Sequence, residues 1–186
     1  HVAFKWKDAF DKGGSFLSAS NSLSIANLCY EKCCILFNIA AVRSNIAASL
    51  VNEGVNMETS LKLATKYFLS SSGIFQALKH LTPSVGQGLT ADLSTEALNC
   101  FHTLMLAQAQ ELFFFKASND NMKDMVIARI ANQCQEYFDD TLKQLPSSKL
   151  SGVEKDWSPR ITMKKLAFQG IAEYYQAQVC LQNKDF

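Results

Sequence analysis

From Leu28 onward the apolar residues stop alternating and recur at helical spacing, and they do so almost to the end of the chain. Leu28, Ile35, Phe37, Ile39, Val42, Ile46 and Leu50 follow this spacing over about six turns, ending near Asn52 to Gly54. A second helix is expected from about Met57 to the stop at Pro83. The Gly-containing "SVGQGLTAD" leads to a third, capped by Asp92 or Ser94 and ending at the break Ser118 to Asp120. A fourth runs from about Met122 to Leu145. The polar stretch "PSSKLSGVEKDWSP" then connects to a fifth, with Pro159 in its first turn. Long helices joined by mostly short links make antiparallel hairpins, in a bundle or a solenoid-like stack. No fixed repeat period chooses between them.

Before Leu28 the period is two. Val2, Phe4 and Trp6 alternate with Ala3 and Lys5, and Leu23, Ser24 and Ile25 alternate again after the turn-rich "DKGGSFLSAS". The chain therefore reads as mainly α, with a β prelude over 1–27 forming a small hairpin or sheet and a helical core over 28–186.

With 186 residues, 48% of them hydrophobic, the chain can bury a real core. A formal net charge of +1 implies neither a nucleic acid partner nor an anionic membrane. The most apolar run, "CCILFNIAAV", stops at Arg43, short of the roughly 18 uninterrupted residues of a membrane span, and a soluble protein is expected. The chain opens on His1 and closes on "QNKDF", which reads as a piece of something longer. Of six cysteines, Cys29, Cys33 and Cys34 share one helical run and cannot staple distant loops, so buried reduced thiols are expected. With no CxxC pair, and with His1, His80 and His102 scattered, no metal and no cofactor are expected. The thiols and the lack of an N-x-S/T acceptor site point to the cytosol.

Catalysis finds no support. GxSxG, P-loop, GxGxxG and HExxH are missing, and Glu31, Glu111 and Glu136 sit at helical positions suited to solvated or capping roles.

Two features ask for a different kind of function. Phe113, Phe114 and Phe115 are consecutive on a helix and point about 100° apart, so they cannot all face one core. In the fourth helix Ile127, Ala131, Cys134 and Phe138 make one core stripe, while Val126 and Ile130 make a second beside it. The second stripe fits an exposed groove; it equally fits a helix packed between two layers.

"FKWKDAFDKG", "YEKCCILFNIAAVRSNIAA", "LMLAQAQELFFFKA" and "MKDMVIARIANQCQEYF" resemble, in order, the BRO domain of the Alix family of ESCRT-associated adaptors. The resemblance implies a banana-shaped helical domain with a tetratricopeptide-like core and a small sheet, of which 1–186 would be the central part. It implies a non-enzymatic adaptor, cytoplasmic and recruited to endosomes. Its partner would be the C-terminal amphipathic helix of an ESCRT-III subunit of the charged multivesicular body protein 4 class, in endosomal sorting, multivesicular-body formation and membrane abscission. By resemblance the apolar contacts fall on Phe113, Val126 and Ile130 and a polar contact on Lys62, with Phe114 and Phe115 packing the third helix. Val126 is smaller than the isoleucine usual there, and Ile130 stands in place of a leucine. Phe16 matches a loop residue through which the family touches endosomal membrane lipid, but the glycines here precede it rather than follow it. The alternative reading is a scaffold of the rhophilin type, binding a small-GTPase pathway component.

Overall fold

A computed structural model describes residues 2–11, 22–53, 57–86, 88–150 and 152–183. Strands β1 (Phe4–Lys7) and β2 (Ser22–Ile25) pair antiparallel, with Phe4 opposite Ile25 and Trp6 opposite Leu23. Five helices follow among the described residues: α1 (Leu28–Glu53), α2 (Met57–Leu81), α3 (Thr95–Asn119), α4 (Asp124–Gln144) and α5 (Val153–Asn183). Each packs chiefly on the next in sequence, because the links between them are short and the pairs fold as hairpins. Val2 is exposed and lies outside β1, so the first strand is shorter than the alternation suggests.

The caps explain where α3 begins. Ser94, in extended conformation, accepts a hydrogen bond from the Ala97 amide at 3.2 Å and so satisfies one of the free N–H groups of the first turn. Asp92 is not the cap. It is fully buried, and its Oδ2 accepts from Trp6 Nε1 and from the Ala9 amide, each at 2.9 Å, tying the hairpin to the α3 approach. Desolvation raises the Asp92 carboxyl above the ordinary aspartate range, and the bonds from Trp6 and Ala9 work against that shift.

An aromatic cluster joins the ends of the fold. Phe37 of α1, Phe75 of α2 and Phe101 of α3 meet at centroid distances of 5.2 to 5.9 Å. Trp6 packs edge-on to Phe37, Phe10 stacks on Phe101, and Trp157 of α5 reaches both Phe10 and Phe101. This contact corrects the expected start of α5. The helix begins at Val153, and Pro159 lies inside it. Buried Val153 and half-buried Trp157, one turn apart, anchor that first stretch to the core, while Glu154 and Asp156 suit its N-terminal dipole.

α1 has two apolar faces. Tyr30, Cys33, Phe37, Ala40 and Ala47 are buried, whereas Ile35, Ile39, Val42 and Ile46 are exposed. Among the described helices it packs chiefly on α2, and the outer stripe faces away from that contact. By length and composition alone α1 could cross a membrane, but its inner stripe belongs to the common core. Burial pushes the thiols up, Cys33 to about 11 and Cys100 to about 12, which keeps them protonated near neutral pH. Phe16 lies outside the described residues.

Candidate partner-binding groove

α3 and α4 run antiparallel, and two bonds set their alignment. The Cys134 thiol meets the Ala107 carbonyl at 3.7 Å, and Gln110 Nε2 donates to the Ile130 carbonyl at 3.2 Å. One turn further along α3 and one turn back along α4 bring Phe113 level with Val126. Phe113 is 43% exposed and Val126 40% exposed, while Ile130 is half-buried and rests against the core. The other stripe of α4 faces inward: Ile127, Ala131, Cys134 and Phe138 are all buried.

Lys62 sits on the α2 side, exposed and paired with Glu58 at 2.7 Å. The hydrogen bond and charge of Lys62, followed by the charge of Lys116, hold the Glu58 carboxyl below its ordinary range. Lys116, one turn beyond Phe113 on α3, pairs with Asp120 at 2.8 Å. Two cations and two carboxylates therefore alternate where the start of α2 meets the end of α3, beside Phe113. This face of α3 and α4 offers apolar side chains on one side and charged groups on the other. Among the described residues, these four charged groups are each at least one-third exposed.

The three phenylalanines take three directions. Phe114 is buried and meets Phe168 of α5 edge-on at 5.2 Å. Phe115 packs edge-on against Phe114 at 5.7 Å and is still 42% exposed, so it packs α3 only in part. Two residues make about 200° of helix rotation, which turns Phe115 away from Phe113 and toward the side of α3 flanked by α1 and α5. Glu111 departs from expectation as well, since it is largely buried and ion-paired with Lys164.

The sequence matches the BRO1-like domain over residues 1–186. It is 40% identical to human programmed cell death 6-interacting protein over 186 residues, all of this chain and 21% of that protein. The chain belongs to the BRO1-like domain family. Apoptosis-linked gene 2-interacting protein X 1 of Caenorhabditis elegans is 36% identical over 181 residues, 96% of this chain and 20% of that protein. Among solved structures, the ALIX BRO1 domain in complex with CHMP4C superposes with a TM-score of 0.88 at 41% identity, covering 98% of this chain and 50% of that one. This BRO1-like chain thus spans about a fifth of the length of these curated relatives and half of the ALIX BRO1 chain.

Proposed function

We propose that this BRO1-like domain is a non-enzymatic adaptor module that receives the C-terminal amphipathic helix of an ESCRT-III subunit, acting from the cytoplasm at endosomes. The carrying observation is that Phe113 of α3 and Val126 of α4 are both exposed at one level of that helix pair, in a chain so similar to a BRO1 domain that complexes CHMP4C. Phe113, Val126 and Ile130 anchor the apolar face of the partner, and Lys62 meets a carboxylate on it. Helix-in-groove recognition of this kind draws most of its affinity from a few desolvated anchors, which suits three apolar side chains with a charged margin. The test is Val126→Asp in the full-length protein, titrated with a CHMP4C C-terminal helix peptide. A carboxylate at this exposed position leaves the melting temperature nearly unchanged, but in the complex it is buried without a partner and abolishes binding. Unfolding of the variant, or undiminished binding by it, would overturn the assignment.

A further inference from the structure

The opposite side of α3 carries a second concavity, which no ESCRT-III contact proposed above uses. A cleft of about 430 Å³ lies between α1, α3 and α5. A smaller one of about 150 Å³ adjoins it, sharing Ala48, Phe68, Gln108 and Lys164 and including Phe115. The wall on α1 runs from Ser44 to Asn52, about 12 Å of helix, a length that about four residues of extended chain would span.

The lining combines an apolar floor with polar walls. Its floor is apolar, with Leu104, Met105 and Ile161. Asn45 of α1 and Gln108 of α3 place two side-chain amides on its walls, groups that donate and accept at once and so suit the alternating N–H and C=O of a main chain. Among the described residues Gln108 Oε1 is buried beneath the cleft surface with no hydrogen-bond partner. The rim carries Arg160 and Lys164, one turn apart on α5; Lys164 is engaged by Glu111 and lies over the Phe138 ring. Among the described residues of this lining Glu111 is the one carboxylate and pairs with Lys164, which leaves the charge of Arg160.

We propose that this cleft binds an extended acidic peptide segment of a partner protein. One large apolar side chain of the peptide sits on the floor beside Met105, its main chain bonds to the exposed Asn45 amide, and a carboxylate pairs with Arg160. Arg suits that role because its planar fork holds a carboxylate through two parallel bonds.

The experiment uses the full-length protein and an array of octapeptides, each with one Phe or Leu two residues from an Asp or Glu, beside the matching amide peptides. The best binder is then titrated by fluorescence polarisation. Wild type and Val126→Asp are expected to prefer an acidic peptide over its amide twin by tenfold or more. Arg160→Glu should lose that preference, and exposed Asn45→Trp, which fills the cleft, should lose binding altogether with the fold intact by circular dichroism. If Arg160→Glu fails to fold, Arg160→Gln serves the same purpose. Equal binding of acid and amide, loss of binding in Val126→Asp, or no binding because a segment of the same polypeptide already fills the cleft would each overturn the proposal. Because Val126→Asp is the variant that disables the ESCRT-III groove, the two readings fail separately.

Discussion

Truncating each ring of the Phe113–Phe115 run separates three roles that composition cannot distinguish. Phe113 is 43% exposed. Taking about 200 Å² for a phenylalanine, some 85 Å² remains for a partner to cover, worth about 2 kcal/mol at about 25 cal/mol per Å². Phe113→Ala should therefore weaken binding of an ESCRT-III C-terminal helix about thirtyfold. Its effect on melting temperature should be small beside that of Phe114→Ala. Phe114 is only 9% exposed and packs on Phe168, so its truncation leaves a cavity and should cost about 3–5 kcal/mol of stability. Phe115→Ala should leave ESCRT-III binding intact, since that ring lies on the other side of α3. The assay is isothermal titration with a CHMP4C helix peptide, run beside thermal melts of the same three full-length variants. Equal stability losses at all three positions, with no selective binding defect at Phe113, would refute the reasoning.

Further outcomes follow from the core and from the hairpin tie. Ile127→Ala and Phe138→Ala, both on the inner stripe of α4, should each cost about 2–5 kcal/mol in denaturant unfolding; a negligible loss would mean that α4 is rotated from the orientation described. Asp92→Ala leaves the Trp6 and Ala9 donors without their acceptor and should cost about 1–3 kcal/mol, whereas an unchanged midpoint would show that the tie contributes nothing. The folded carboxyl of Asp92 lies above its unfolded value of about 3.8, so between those two values the native state holds more protons. Asp92 thus makes stability fall as pH rises through that window, and Asp92→Asn, which cannot titrate, should remove that slope; an unaltered slope in unfolding curves would contradict the assignment.

Much of the helical architecture was legible because it is periodic. The stripe Ile127, Ala131, Cys134, Phe138 identifies the inner face of α4 without any knowledge of its neighbours, and Pro83 and Ser94 mark real ends. Pro159 misled, because proline signals a first helical turn locally, while what holds the preceding turn is Trp157 packed on Phe10 and Phe101 far away in sequence. Asp92 misled in the same way: it looks like a cap, but its partners lie more than 80 positions earlier. For α1, the spacing of Ile35, Ile39, Val42 and Ile46 reports an apolar face correctly, and the spacing alone does not say that this face points away from α2. The second cleft was invisible, since α1, α3 and α5 contribute to it and no local pattern joins them. For Phe115, helix rotation separates it from Phe113, but only the positions of α1 and α5 say what its exposed side faces.

The central claim is that the partner helix lies over α3 against α4. Methyl-labelled full-length protein, titrated with a CHMP4C C-terminal helix peptide and followed by NMR, tests it directly. The methyl signals of Val126 and Ile130 should shift together and saturate with the same affinity, while those of buried Ile127 and of Ile35, Ile39 and Val42 on the outer face of α1 move little. Shifts centred on the α1 stripe or on the cleft between α1 and α5, with Val126 and Ile130 unmoved, would contradict the account.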